Sequence, residues 1–595
     1  MSSEISSNAY NQLINGAEIT TLDSYDAKCE DKCDHKQQES SCESDEKKLD
    51  SSWAFKKADI FKESDKFYAE CQAYEKKLYN KCTDKSTTES ECEDEFYSEY
   101  KNKVFDLHRD IAYKCVDSKT KIENNGDIEK FCDYAGNFSK SLPHDKKGFV
   151  DKKEYKKLLD FCKGDISKLN EIKLGAERKL MNPSCIYGID LMGIPKESFW
   201  IPASPSISSK AGAADLIEIY AMALARDIPF HQWKCSETIQ WIIKALNKLS
   251  EFRGPKKCGK VTLDTLFRGE TKGDLIGPFV SQFLYQTVPF GVQKCEQKVF
   301  AYVEGKDYLI CYKDCKSMQN GYNPKEKNEQ YHYSRYITTL RDGASYIHND
   351  YPGQAGLMGA QILLGLGVPI TCQHKDVNEH YFIELAHCDI FDLIHKASKL
   401  AMAAAWHHKW TQLKLRPEAY GLLVHEAKEN GCNPYKLSKE LLNSSILDKV
   451  KAKWGSYCLP QAYSEGSPTH PSYPSGHATW AGAVVTILKA FFDNDYEIEA
   501  FEPSCDGSYL VPLGYKVKVG DELDKLASNL GTFRNVGGIH YRSDMLGIYL
   551  GEAVAIELLE EAVQRYAFPV KFEFRARNGK KVVINNYNHF KKDDC

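Results

Sequence analysis

Three short segments place acid–base and anion-binding residues at defined spacings. They are Lys409-Trp-Thr-Gln-Leu-Lys-Leu-Arg416-Pro417, Pro474-Ser475-Gly476-His477 and Arg534-Asn-Val-Gly-Gly-Ile-His540-Tyr-Arg-Ser-Asp544. The second lies within a Pro/Ser-rich run, 467–479, that feeds an apolar segment ending near 492. Such a turn opening a helix offers free backbone N–H groups to an anion. His477 would stand beside that anion, placed for proton transfer. In the third segment Gly537 and Gly538 allow a tight turn, and Asp544, four after His540, can orient the imidazole and raise its basicity.

Charge decides what such a site would hold. Lys409, Arg416 and Arg534 bring three fixed positive charges. Each repels a unit cation by about 4 kcal/mol at 4 Å with an effective dielectric near 20. A multiply charged oxyanion is held by the same interactions. A zinc-type site at His540 and Asp544 is therefore the weaker reading. Singly, each segment has a bland explanation, such as a solvated helix face or a surface histidine. Together, and in this order, they do not.

The elements that must position these residues read as mostly helical. Hydrophobic periodicity predicts helices over 211–226, 236–252, 336–348, 351–366, 390–415, 434–453, 479–492, 522–530 and 543–565. Lys409 and Arg416, seven apart, would then share one face of one helix, ended by Pro417. Strand signals are few: 299–312 alternates around Glu304-Gly-Lys-Asp307, and 570–585 around Asn578-Gly579, a two-residue hairpin signal. The fold class expected is mainly α, a helical bundle with small β-hairpins.

Three parts are expected along the 595 residues. Residues 1–50 are polar and read as flexible. Residues 51–165 are charged, with aromatics at helical spacing, and read as a Cys-rich helical extension with a structural or interaction role. Residues 166–595 read as the catalytic domain, from which the extension is separable. Net charge is −5, which argues against a nucleic-acid binder. The stretch 351–374 lacks Asp, Glu, Lys and Arg, but its Gly, Gln and Pro content reads as a buried helix with flanks, so no membrane span is expected. Of 21 cysteines, nine precede residue 165, without Cys-x2-Cys pairs. Disulfides in an extracellular or secretory compartment are expected rather than zinc, although no signal peptide is visible.

The three segments resemble the vanadium-dependent haloperoxidases, which share a pocket with the acid phosphatases of the type-2 phosphatidic acid phosphatase superfamily. The similarity runs from about 175 to 570. It includes Asn182-Pro183 followed by Gly188-Ile-Asp190, Ala225-Arg-Asp-Ile-Pro-Phe230 and Gly277-Pro-Phe-Val-Ser-Gln-Phe283, which resemble the marine algal bromoperoxidases. The resemblance implies a vanadate cofactor. His540 would bond vanadium, and Lys409, Arg416, Ser475, the Gly476 N–H and Arg534 would bond the vanadate oxygens. His477 would be the acid–base acting on hydrogen peroxide, and Lys409 would polarise bound peroxide. Asp350 resembles an acid that braces Arg534. His470 stands where chloride-oxidising relatives place Phe, and Trp406 lies among halide-pocket positions. His408 replaces an Arg of red-algal relatives, and the seven-residue Lys409–Arg416 spacing resembles the fungal chloroperoxidases where the algal pattern has eight.

The activity implied is oxidation of bromide and iodide by hydrogen peroxide to hypohalous acid, which halogenates an organic nucleophile; the chain is expected to form a homo-oligomer. The rival enzyme reading is a phosphohydrolase, with His540 as nucleophile, Asp544 orienting it and His477 protonating the leaving group. The third is a catalytically inactive, cysteine-stapled binding protein.

Overall fold

The computed structural model describes residues 124–188, 190, 196–373, 380–431 and 433–587. All of them lie in the compact unit that spans Thr120–Cys595. Its centre is the Gly476–Phe491 helix, on which every residue but His477 is buried. An element apolar all round belongs in a core. It packs against Gly547–Val563, His387–Gln412 and Val519–Val536, forming a helical bundle. Contact with Gly547–Val563 is at backbone distance. A Cβ on Gly551 would come within 1.8 Å of the Thr479 carbonyl oxygen, and one on Gly482 within 2.1 Å of that of Ile548.

The observed helices depart from the periodic pattern mainly at their ends. The expected 390–415 helix is His387–Gln412, closed by Leu413 in the left-handed region at φ 51°. Pro417 does not end that helix but starts another, Pro417–Asn430, with Arg416 as its N-cap. Proline is tolerated there because the first-turn N–H has no intrahelical partner to lose. The single helix expected over 434–453 is two, Lys439–Leu442 and Ser445–Trp454, each capped by a serine side chain. The 336–348 helix starts late, at Leu340, where Thr339 and Asp342 form a capping box. The 522–530 helix extends to Val519–Val536. The expected 543–565 helix opens as a 3-10 turn, Ser543–Leu546, before Gly547–Val563.

The hairpin expected over 299–312 does not form. Its two arms bridge other segments, Val299 to Arg335, Tyr302 to Gln330 and Tyr308 to Gln461. Asp307 is drawn inward by Arg226 and Arg341, whose buried guanidinium groups need a carboxylate. The hairpin at the C-terminal side does form, Lys571–Arg575 with Lys581–Asn585. Its connection is longer than two residues: Arg575 pairs with Lys581, and Ala576 donates to the Lys580 carbonyl at 2.7 Å. Two antiparallel pairs were not anticipated, Val288–Phe290 with Gln293–Cys295 and Glu497–Pro503 with Leu510–Lys518. In the second strand of the longer pair Val511, Pro512, Gly514 and Tyr515 are all exposed, so no alternation marks it.

No helix among the described residues is long and apolar enough to cross a membrane. The charge-free stretch holds the short helix Gln354–Gly365, packed on the central helix and on His387–Gln412.

The part of the extension that is described, residues 124–165, shares a core with the site-bearing helix. Phe138, Leu142, Tyr155, Leu158 and Phe161 pack in one cluster with Trp406 and Trp410. Lys140 is tied to Glu418 at 2.6 Å, both side chains being about 1% exposed, and donates to the Ser467 carbonyl at 2.6 Å. The residues 1–123, with the flexible segment and most of the extension, lie outside the described residues. The expected disulfides are absent among the described residues, where all twelve cysteines are unpaired, including Cys132 and Cys162.

Candidate active site

Lys409 leaves the last turn of His387–Gln412 with its ammonium fully buried. It donates to the Pro471 and Ser472 carbonyls at 3.0 and 2.7 Å, and lies 5.8 Å from the Trp406 ring centroid. Arg416 is not two turns further along that helix. The left-handed Leu413 reverses the chain and presents Arg416 from the next helix's cap, so the two cations meet through a turn rather than a shared face. The Arg416 guanidinium donates to the His470 and Ile539 carbonyls at 2.8 and 2.7 Å and lies 3.0 Å from His540 Nε2.

Ser475 caps the central helix, its hydroxyl accepting the Ala478 N–H at 3.4 Å. The Gly476 and His477 N–H groups at that terminus find no acceptor. Gly476 is closely packed: a Cβ there would sit 3.3 Å from Met402 Sδ and from the Trp406 ring. Arg534 comes from the last turn of Val519–Val536. It donates to the Ile347 carbonyl at 3.1 Å, lies 5.9 Å from the Tyr463 ring centroid, and keeps a buried Nε without a partner.

Gly538, at φ 85°, turns the chain from Arg534 to His540. His540 is buried, with Nδ1 2.6 Å from Asp544 Oδ2. The same oxygen accepts the Ser472 hydroxyl at 2.5 Å and the Tyr541 N–H at 3.2 Å, and the Asp544 carbonyl accepts the Ser475 N–H at 2.9 Å. Burial first, then Arg416, Lys409, Arg534 and His470, hold His540 well below the ordinary histidine pKa. The ring is thus neutral, with its proton on Nδ1 toward Asp544 and a lone pair on Nε2. Burial likewise lowers Lys409 well below its ordinary value, and neighbouring Arg416 adds to it.

His477 projects from the head of the central helix, its Nε2 2.9 Å from Asp350 Oδ1. Its side chain is 23% exposed whereas that of Asp350 is 1% exposed, so His477 is the member of the pair that solvent reaches. Burial lowers its pKa, with Asp350 opposing. Asp350 was expected to brace Arg534. Instead it spends Oδ1 on His477, while Oδ2 is buried without a partner and Arg534 is tied to Ile347. The segment from Ile347 to Asp350 carries both contacts, so the acid that the resemblance assigned to Arg534 lies near it but serves His477.

His470 and Trp406 meet at 4.6 Å beside Arg416, and His470 Nδ1 is 3.0 Å from the Arg416 Nη2. His408 is turned away: its Nε2 faces the Phe199 carbonyl at 2.8 Å. Adjacent helical residues lie about 100° apart, so the neighbour of an inward lysine need not share its pocket.

Several positioning residues escaped the sequence reading. Ser472 ties Asp544 and, through its carbonyl, Lys409. Arg226 donates to the Val536 and Pro460 carbonyls, bracing the turn after Arg534. Its signal was the Ala225–Phe230 segment, noted only as a resemblance. Tyr463 lies between Arg534 and His348, stacked on the latter at 3.9 Å.

Three buried cations, a helix N-terminus with free donors, an orphaned guanidinium Nε and a neutral imidazole converge, and the two carboxylates nearby, Asp544 and Asp350, are each tied to a histidine. This donor set lacks an anion and fits a tetrahedral oxyanion. Fold and site together define a helical-bundle protein built around an oxyanion pocket.

The comparisons give that class a family. The VCPO second helical-bundle domain matches residues 389–567, the segment that holds all three motifs. A vanadium-dependent bromoperoxidase of Ascophyllum nodosum is 32% identical over 513 residues, covering 80% of this chain and 91% of the relative. One from Corallina officinalis is 30% identical over 544 residues, covering 75% and 90%. The homohexameric structure of the second vanadate-dependent bromoperoxidase of Ascophyllum nodosum superposes with a TM-score of 0.74 at 27% identity, covering 82% of this chain and 90% of that one. The chain belongs to the vanadium-dependent bromoperoxidase family.

Proposed function

We propose that this protein is a vanadate-dependent peroxidase that oxidises bromide and iodide with hydrogen peroxide, giving hypohalous acid that halogenates organic nucleophiles. The observation that carries the reading is the neutral His540 Nε2, aimed among Lys409, Arg416 and Arg534 with Asp544 fixing the other ring nitrogen. Vanadate would be held by His540 and by donors from Lys409, Arg416, Ser475, Gly476 and Arg534. When bound, it supplies a Lewis-acid centre that activates peroxide without changing oxidation state.

The chain's own residues do the rest. Asp544 keeps the His540 proton on Nδ1, so Nε2 keeps its electron pair for vanadium. Lys409 and Arg534 stabilise negative charge that develops on oxygen during halide attack. His477, held neutral near pH 7 by burial, accepts a proton from entering peroxide on its ring and returns it to the leaving oxygen. Asp350 orients that ring and stabilises its protonated form. Trp406 and His470 form one wall, where halide would approach. Assembly as a homo-oligomer belongs to the same reading, supported by the homohexameric relative.

The phosphohydrolase alternative is not favoured, since the relatives over most of the chain are named bromoperoxidases. One assay separates the two. The purified protein is tested, with and without orthovanadate, for peroxide-dependent bromination and for phosphate-ester hydrolysis. Vanadate-dependent bromination is expected, and excess phosphate should slow reactivation of the vanadate-free protein. Ester hydrolysis without bromination overturns the proposal.

A further inference from the structure

A second group of reactive side chains lies apart from the oxyanion pocket. Cys458 is buried in a small cluster with Leu309, Cys315 and Met318. Cys315 belongs to the Tyr312–Gln319 helix; its thiol donates to the Leu309 carbonyl at 2.8 Å, and it packs in the same buried cluster as Cys458. Beside Cys458 stands His425, from Pro417–Asn430, which accepts the Tyr457 N–H at 3.3 Å and stacks on Tyr312 at 5.2 Å. Two thiols in contact, one with an imidazole beside it, are the parts of a nucleophilic and a resolving cysteine.

We propose that Cys458 and Cys315 are a peroxide-reactive pair that closes to a disulfide. The Cys458 thiolate attacks one oxygen of hydrogen peroxide. The S–O bond forms, the O–O bond breaks, and hydroxide leaves to become water with the proton lost by the thiol. The Cys315 thiol then gives up its proton and attacks the resulting sulfenic sulfur. The S–S bond forms, the S–O bond breaks and a second water leaves. Two thiols are oxidised by two electrons, and one peroxide is reduced to two waters. Neither vanadate nor halide takes part, so the step stands apart from the reaction at His540.

Electrostatics agrees with this assignment of roles. Contact with Cys315, then with His425 and Ser456, pushes the Cys458 thiol down to about 5 against the opposing effect of burial. The same contact, with burial, pushes Cys315 up. His425 and Ser456 stand on the Cys458 side, which gives Cys458 the nucleophile's role and Cys315 the resolving one.

Closure would staple the segment that backs the active site. Two residues after Cys458, the Pro460 carbonyl accepts from Arg226; Gln461 then donates to the Gly538 carbonyl at 2.9 Å, and the Ala462 N–H to that of Gly537 at 3.0 Å. The disulfide would join this strap to the Tyr312–Gln319 helix, behind the turn that delivers His540.

The test uses the full chain, purified reduced and free of vanadate and halide, then treated with hydrogen peroxide near stoichiometry. The protein is acid-quenched, alkylated, digested without reduction and mapped by mass spectrometry. The expected product is one linked peptide pair joining Cys315 to Cys458, formed before the exposed Cys235, Cys258 and Cys505 are modified. A bulky aromatic disulfide reagent should label those exposed thiols and spare the pair. His425→Gln should slow closure about tenfold. Cys315→Ser should leave Cys458 as a sulfenic acid trapped by a cyclic dione; if that variant does not fold, the wild-type map decides alone. The proposal is overturned if both thiols remain alkylatable after the exposed ones are oxidised. It is equally overturned if Cys458 links to another cysteine or over-oxidises without a link.

Discussion

Arg416 Nη1 lies 3.0 Å from His540 Nε2, on the ring whose Nδ1 is 2.6 Å from Asp544. A cation faces the lone pair of a buried neutral imidazole, and a carboxylate holds its proton. The arrangement fixes ring orientation and tautomer before any anion arrives, so the site is preorganised for its ligand.

Loss of His540 and loss of His477 should therefore separate binding from turnover. His540→Ala is expected to abolish vanadium retention, and Asp544→Asn to weaken it by about 10–100-fold. His477→Ala should keep vanadium and lose about 10²–10⁴ in bromination rate. Metal analysis of each variant beside its activity decides the matter. Equal vanadium loss in the two histidine variants would mean that the roles are misassigned.

The Asp350–His477 pair gives a pH prediction with a definite sign. Burial lowers the His477 pKa, and Asp350 works against that by favouring the protonated ring. Asp350→Asn removes the opposing charge, so the pKa should fall further and neutral His477 should persist to lower pH. The acid limb of the bromination profile should move toward acid while maximal turnover drops. A limb that stays in place, or moves toward base, would uncouple the two residues.

Halide preference should follow the His470 side of the pocket. His470 is buried against Trp406 and beside Arg416, at the position where the family resemblance implies Phe in chloride-oxidising enzymes. Bromide and iodide should be oxidised and chloride poorly, because chloride needs a more strongly activated oxidant. Initial rates with the three halides at mildly acidic pH test this, and comparable chloride and bromide turnover would refute it.

Lys140 supplies a stability prediction. It neutralises Glu418 in a buried pair, and Glu418 in turn accepts the Ser467 N–H at 2.6 Å. Lys140→Met removes its ion-pair partner, leaving only Gln319 and the Ser467 N–H as hydrogen-bond donors, at a cost of up to about 3–5 kcal/mol. A lower melting temperature is expected, along with weaker vanadate retention because Ser467 opens the loop that leads to Ser475. Removing residues 1–165 should do the same and strip Phe138, Tyr155, Leu158 and Phe161 from the core as well. A truncated chain that melts like the full one would show that this packing contributes little.

The chemistry was legible in the sequence wherever it depends on local spacing. Pro474-Ser475-Gly476-His477 must open a helix, and four residues bring Asp544 under His540, because capping and short turns are decided by neighbouring residues. The mainly helical class followed from periodicity, and the three motifs together sufficed for the family resemblance.

What only tertiary structure decided are the relations between distant segments. Lys409 and Arg416 meet through the left-handed Leu413 and not along one helix, and Pro417 starts a helix where it was expected to end one. Asp350 serves His477 rather than Arg534, and His408 turns to Phe199. The 299–312 arms abandon each other because Asp307 answers two buried arginines. In each case a buried polar group must find its partner somewhere in the fold, and where that partner sits in the chain is not written in spacing.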